Sequence, residues 1–255
     1  MIGIIGYGFV GKAVANGFPH TTKLVCDPAY NNVTIKDIIA ENPEAIFVCL
    51  PTPTDDTDYA LLKEALDQLI DYKGITVVKS TILPHHLEKY NVVFNPEFLS
   101  RKTANNDFIN PPFVLFGGES VQTKKLLDIY SKYSVVDLDN VFMTDIKTAS
   151  LYKYIVNSFY ATKVTFMNQV YDVCKQVGVD YREIKDMMFW NPWIANQHLD
   201  VPGHEGRGFS GPCLPKDTQA IMSLLNKLDL DYDLIDSIDA DNRKFKKTVF
   251  NGMRD

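Results

Sequence analysis

No apolar run in this 255-residue chain approaches the length that spans a bilayer, so a membrane-spanning helix is not expected. Cysteine is sparse: Cys26, Cys49, Cys174 and Cys213 lie far apart, and the first two fall in apolar, strand-like runs. That spacing argues against a disulfide scaffold and for a reducing cytoplasm. Positive charge is in deficit, with 26 Lys and Arg against 32 Asp and Glu. A net charge of −6 argues against nucleic acid or an anionic membrane as a partner. Met1 opens directly on an apolar run, with no basic n-region or h-region, so no signal peptide is expected. Repeats and low-complexity tracts are absent. What is present, 45% apolar and 23% charged residues, suits one large globular domain or two modest ones.

The densest chemistry lies in Gly208-Phe209-Ser210-Gly211-Pro212-Cys213-Leu214-Pro215-Lys216-Asp217. Pro215 suits the first turn of a helix, where its missing N–H costs nothing. Cys213 then lies just ahead of a helix N-terminus, whose partial positive charge favours a thiolate. Lys216 falls in the same turn and Asp217 one helical turn on. Many such cysteines are merely small buried hydrophobes. The glycines, the lysine and the aspartate make this one a candidate nucleophile.

The first half alternates strands and helices. Met1 to Ile5 reads as a strand, and Gly6-Tyr7-Gly8-Phe9-Val10-Gly11 follows, opening a helical pattern through Val10, Val14, Ala15 and Phe18. This is the context in which Gly-x-Gly-x-x-Gly binds a dinucleotide. Gly6 makes the turn, Gly8 lets the pyrophosphate reach the backbone, and Gly11 allows close helix–strand packing. The strand Lys23 to Asp27 ends in an acid about twenty residues on, placed to accept from ribose hydroxyls. Asp27 would repel an added phosphate, so NAD is expected over NADP. Thr34–Glu41 reads as a helix, and Ala45–Leu50 as a buried strand. Asp58 is expected to cap a helix with the stripe Leu61, Leu62, Ala65, Leu66 and Leu69. Strands follow at Ile75–Val78, Asn91–Phe94, Phe113–Phe116 and Ser134–Leu138, with a helix over Ser120–Lys132. The expected fold is α/β: a doubly wound Rossmann-type parallel sheet over residues 1–143, then an all-helical domain over 144–255 with one long connecting helix. Three polar loops should occupy the ligand-bearing strand ends: Pro51-Thr52-Pro53-Thr54, Ser80-Thr81-Ile82-Leu83-Pro84 and Asn95-Pro96-Glu97-Phe98-Leu99.

In the second half, Thr144 or Asp145 is expected to cap a helix lasting to about Val177, free of proline and glycine. At ~1.5 Å per residue it would be roughly 50 Å long, a length suited to pairing with another subunit as a homodimer. Lys153 and Asn157 share one face of it, and the apolar neighbours Ile155, Val156 and Phe159 suggest a partly buried pair. Asp180–Phe189 reads as a helix. The Gly/Pro/Asn-rich segment Asn191–Gly211 is long enough to cover a substrate. Pro215–Lys227 and Tyr232–Phe250 read as helices. His198, His204 and Cys213 match no standard zinc spacing, so no metal is expected. His85 and His86 read as loop histidines.

Together these segments resemble the nucleotide-sugar dehydrogenases, the UDP-glucose and GDP-mannose 6-dehydrogenase family. The resemblance rests on Gly6 through Gly11, Leu50 through Thr54, Ser80-Thr81, Asn95 through Leu99, Lys153 through Asn157, and Gly208 through Asp217, in the family's order across almost the whole chain. It implies oxidation of a sugar's primary alcohol to a carboxylate with two NAD per turnover, UDP-glucose being the first expectation. It implies that Cys213 attacks the intermediate aldehyde, that a second hydride transfer makes a thioester, and that water releases the acid. Lys153 would stabilise the oxyanion or shuttle a proton, and Asn157 would orient the oxygen. Asp217 and Thr81 would hold the water, with Glu97 assisting hydrolysis. Cofactor contacts are implied for Gly6, Tyr7, Gly8, Phe9, Val10, Gly11, Asp27, Leu50, Pro51, Thr52, Ser80, Thr81 and Lys216. Substrate contacts are implied for Phe98, Leu99, Arg101, Lys153, Asn157, Gly208 and Phe209.

The chain departs from the family pattern in several places. The usual second Glu, four residues after the position of Glu97, is Arg101. The acid expected three residues before the lysine is Ser150, and an arginine often given to the neighbour's sugar site is Trp193. The loop before Cys213 contains Pro202-Gly203 and is closer in length to the GDP-mannose branch. The family's third, nucleotide-binding domain has no counterpart in these residues, so a partner chain in its place is a further expectation. Two alternatives stand beside this one. The first is an NAD-binding module that has lost catalysis. The second is a β-hydroxyacid dehydrogenase, which shares the Rossmann-plus-helix plan and a Lys/Asn helix pair but needs no catalytic cysteine.

Overall fold

The computed structural model describes residues 1–53, 59–203 and 206–245. Thr54, the expected cap Asp58, His204 and residues 246–250 of the last expected helix lie outside the described residues. By contacts the chain forms two compact units, divided between Lys153 and Tyr154.

The first unit is built on seven strands: β1 (Ile2–Ile5), β2 (Lys23–Cys26), β3 (Ala45–Val48), β4 (Ile75–Val78), β5 (Val93–Phe94), β6 (Val114–Gly117) and β7 (Val141–Thr144). They lie in the order β2-β1-β3-β4-β5-β6-β7. Pairing is parallel except between β5 and β6, which meet antiparallel at Phe94 and Gly117. The crossovers are helices α1 (Phe9–Gly17), α2 (Ile35–Ala40) and α3 (Ala60–Gln68); α4 (Ala104–Ile109) and α5 (Ser120–Tyr133) follow. Because successive strand residues point to opposite faces, one sequence fills two cores. Ile2, Ile4, Ala45, Phe47 and Val77 pack with Val14 and Phe18 of α1 and Leu126 and Tyr130 of α5. Ile5, Ile46, Val48 and Val78 pack on the other face, with Ile38 of α2 and Leu62 and Leu66 of α3. Truncating a fully buried ring there, such as Phe47→Ala, would cost about 3–5 kcal/mol.

Two expectations need correction. The run 134–138 is not a strand; the final strand is β7. The Val135 and Asp137 N–H groups donate to the carbonyls of Gly17 and Ile109, the ends of α1 and α4, while Val136 is buried. Helix ends, not a neighbouring strand, satisfy this apolar run. In α3, Leu62, Ala65 and Leu66 are buried, and so is Leu69 just beyond it, but Leu61 is 54% exposed and lies off the packed stripe.

The long helix α6 (Ile146–Val177) begins in the first unit and continues through the second. Asp145 caps it, its Oδ1 accepting the Thr148 N–H at 2.9 Å. The second unit adds α7 (Tyr181–Trp190), α8 (Leu214–Lys227) and α9 (Asp233–Phe245). Met167 and Cys174 of α6 pack with Tyr181 and Leu199, and Ala161 packs with Phe209 and Ile238.

Candidate active site

In the first unit, the carboxyl ends of β1 to β5 carry the polar loops, where ligands of such sheets bind. Gly6 has φ +86°, and a Cβ there would fall 2.7 Å from the Cys49 carbonyl oxygen. At Gly11 a Cβ would stand 2.1 Å from the Gly6 oxygen, so any side chain would push α1 off β1. A Cβ at Gly8 would meet nothing within 4 Å. That open backbone is also the N-cap of α1, which has no side-chain cap. The N-terminal N–H groups of α1 therefore face a cradle shaped for an anion such as a pyrophosphate. Asp27, just past β2, accepts the Tyr7 N–H at 2.6 Å through Oδ2 and the Ala29 N–H at 2.9 Å through Oδ1. The expected ribose acid is thus fixed beside the glycine turn. The Arg101 guanidinium stands 5.7 Å from the Phe9 ring centroid, which places this residue at the glycine loop. Tyr7, Phe9 and Val10 are half-buried in the same loop.

The next loops are tied together. The Ser80 hydroxyl donates to the Leu50 carbonyl at 2.7 Å, joining the end of β4 to the segment bearing Pro51 and Thr52, and Thr81 is buried beside it in sequence. Glu97 lies beyond β5. Its Oε2 accepts the Leu99 N–H at 2.8 Å, and its Oε1 is 3.4 Å from the Lys153 ammonium. The Lys153 Nζ also donates to the Glu97 carbonyl and lies 4.9 Å from the centroid of the Phe98 ring. Lys153 and Glu97 are 4% and 9% exposed, so the ion pair stands largely out of water. Ser150, where the family pattern has an acid, is buried and donates to the Ile82 carbonyl at 2.6 Å. Sequence reasoning passed over a second buried lysine. The Lys79 Nζ donates to the Asn95 carbonyl at 3.0 Å and to Asn95 Oδ1 at 2.9 Å, and the Tyr130 hydroxyl donates to the same Oδ1. Burial pulls Lys79 down to about 8 and pushes the Cys49 thiol up to about 12. A lysine directly before the Ser80-Thr81 pair was the available signal.

In the second unit, Cys213 is the N-cap of α8, with Pro215 in the first turn. The Asp217 N–H donates to the Cys213 carbonyl at 2.9 Å, closing that turn. The Asp217 side chain is 1% exposed and is held by two donors, Asn157 Nδ2 and Lys216 Nζ, the latter at 2.5 Å. Such donors offset the cost of burying its oxygens away from water. Gly208 takes φ +71°. The Phe209 ring is buried with Ala161 and Ile238.

Lys153 and Asn157 are both buried, but each has its own partner: Glu97 for the lysine, Asp217 for the amide. The apolar neighbours do not bury them. Ile155 and Phe159 are 52% and 64% exposed, on the opposite side of α6. Trp193 is 93% exposed, and the Lys163 Nζ donates to the nearby Ala195 carbonyl.

Comparison with known proteins identifies the family of both units. Residues 29–134 match the NAD binding domain, and residues 147–244 the central domain, of the UDP-glucose/GDP-mannose dehydrogenase family. UDP-glucose 6-dehydrogenase of Rickettsia bellii is 30% identical over 224 residues, covering 80% of this chain and 50% of that protein. GDP-mannose 6-dehydrogenase of Pseudomonas syringae is 32% identical over 193 residues, or 69% of this chain and 43% of the relative. The chain thus spans about half the length of the curated relatives it matches. Its fold matches that of a UDP-glucose dehydrogenase from Pyrobaculum islandicum with a TM-score of 0.82 at 24% identity, over 95% of this chain and 68% of that one.

Proposed function

Because the chain belongs to the UDP-glucose/GDP-mannose dehydrogenase family, an NAD-dependent family, we propose that it oxidises the primary alcohol of a nucleotide sugar, UDP-glucose first, to the uronic acid. The observation that carries this reading is Cys213 at the N-cap of α8, followed by the buried, doubly held Asp217. Gly6 through Gly11 and Asp27 would hold NAD, which when bound accepts the hydride in each of two oxidations. Lys153 would relay the alcohol proton to the Glu97 carboxylate beside it, and its ammonium would steady the oxyanion. The Cys213 sulfur would add to the aldehyde carbon, its proton passing to the carbonyl oxygen, to give a thiohemiacetal. The second oxidation removes hydride and proton from that centre and leaves a thioester. Asp217 and Thr81 would place the water that splits it, Glu97 would assist, and the carboxylate leaves as the thiol is restored.

Incubation with NAD and, separately, UDP-glucose, GDP-mannose and UDP-N-acetylmannosamine tests the reading. Two NADH per sugar with one of them is expected, and Cys213→Ala should lose turnover by at least about a thousandfold. No turnover with any of them would refute it. We also propose a homodimer through α6, supported by the exposed Ile155, Phe159, Phe166 and Val173 along that helix.

A further inference from the structure

The backbone leading into Cys213 is held by side chains to which the reaction assigns no part, all within the second unit. Asn242 of α9 is fully buried. Its Oδ1 accepts the Phe209 N–H at 2.8 Å, and its Nδ2 donates to the Phe209 carbonyl at 3.0 Å. A side-chain amide here pairs with a peptide group as one strand pairs with another. One residue earlier, the Gly208 N–H donates to Asn168 Oδ1 at 3.1 Å, and Arg207 Nε donates to the same oxygen at 2.8 Å. Arg207 is itself fixed by Asp172 at 2.7 Å. At Gly208 a Cβ would fall 2.4 Å from Asn242 Oδ1, so glycine is what lets the amide approach.

Three consecutive residues, Arg207 to Phe209, are therefore pinned to α6 and α9, four residues before Cys213. Helix α9 does not need the Asn242 bonds in order to form. They spend the hydrogen-bonding capacity of a fully buried amide on the loop alone, and a buried amide left unmet would cost stability.

We infer that Asn242, with Asn168, is a positioning residue for the Cys213 thiol, fixing where the chain enters α8. The inference rests on the reading of Cys213 as the nucleophile. A thiol moved off the helix N-terminus loses both its aim and the field that favours the thiolate.

Asn242→Ala in the full chain tests it. Peptide-resolved alkylation of Cys213 by iodoacetamide, followed against pH, reads the thiol directly. Thermal unfolding reads the fold, and turnover with NAD and UDP-glucose reads kcat and KM. The folded variant should alkylate Cys213 with an upward-shifted pH midpoint and lose about a hundredfold in kcat, the cost of roughly 1 Å of misplacement. KM for NAD should stay within about twofold, and Cys26 should alkylate as in the wild type. A folded variant with an unchanged Cys213 profile and unchanged kcat overturns the inference. Should Asn242→Ala fail to fold, Asn242→Asp keeps the size and the acceptor and removes the donor; it should shift both readouts in the same direction, and no shift there overturns the inference equally. A wild type that never turns over removes the dehydrogenase reading, while the alkylation profile still decides the role of Asn242.

Discussion

Lys79 carries its ammonium where water barely reaches, at 3% exposure, between the Asn95 carbonyl and side chain. Burial lowers it to about 8, against ~10.4 in an unfolded chain. Between those values the unfolded state binds more protons, so the contribution of Lys79 to stability rises with pH across that window. Cys49, pushed up to about 12 by burial, acts in the opposite sense, because its unfolded thiol ionises first. Comparing wild type with Lys79→Met removes most of the Cys49 share, because burial of the thiol is the larger cause of its shift and the lysine beside it the smaller. Urea unfolding should show the difference moving toward the wild type by on the order of 2 kcal/mol from pH ~8 to ~10.4, and a flat difference would contradict this account. The glycines make a second pair of tests. Gly11→Ala must displace the Gly6 carbonyl and should lose roughly 1–3 kcal/mol of stability. Gly8→Ala meets no neighbour, so it should leave stability intact while weakening NAD by at least about tenfold, as calorimetry would measure. The places of Gly6, Gly8, Gly11, Asp27 and Cys213 were legible because local chain order fixes the turn, strand end or helix start that each occupies. Lys79, Asn168 and Asn242 were not, because their partners come from other elements brought near only by folding.

Among the elements, α6 shows what a local signal can and cannot say. Asp145 accepts the Thr148 N–H at 2.9 Å and the Thr148 hydroxyl at 2.7 Å, bonds that lower its pKa. Asp145→Ala should cost about 1 kcal/mol in thermal unfolding and Asp145→Asn less. Its charged-form share is complete above the unfolded value of ~3.9 and is lost as pH falls through the folded one. Helix starts at Thr34, Asp145 and Asp180 were legible because each cap is a contact within a few residues. The face of α6 was legible only in part: Lys153 and Asn157 are buried on one side as expected, but Ile155 and Phe159, the apolar neighbours that suggested it, are exposed. The apolar run at 134–138 misled in a similar way, since its hydrogen bonds go to helix ends distant in sequence.

At the scale of the whole molecule, α6 presents Phe159, Phe166, Val173 and Val177 at 56–66% exposure. Sedimentation of the wild type should give a dimer, and Phe159→Glu with Phe166→Glu should give a monomer; a wild-type monomer at micromolar concentration would contradict the proposal. The account as a whole stands on Cys213 carrying the sugar between two oxidations. Glu97→Gln should slow release of the acid, and peptide-resolved mass spectrometry after acid quench, during reaction with NAD and UDP-glucose, tests that claim most directly. The account predicts, on the peptide bearing Cys213, an added mass equal to the nucleotide uronic acid less one water. An unmodified Cys213 peptide, together with full turnover in Cys213→Ala, would contradict it.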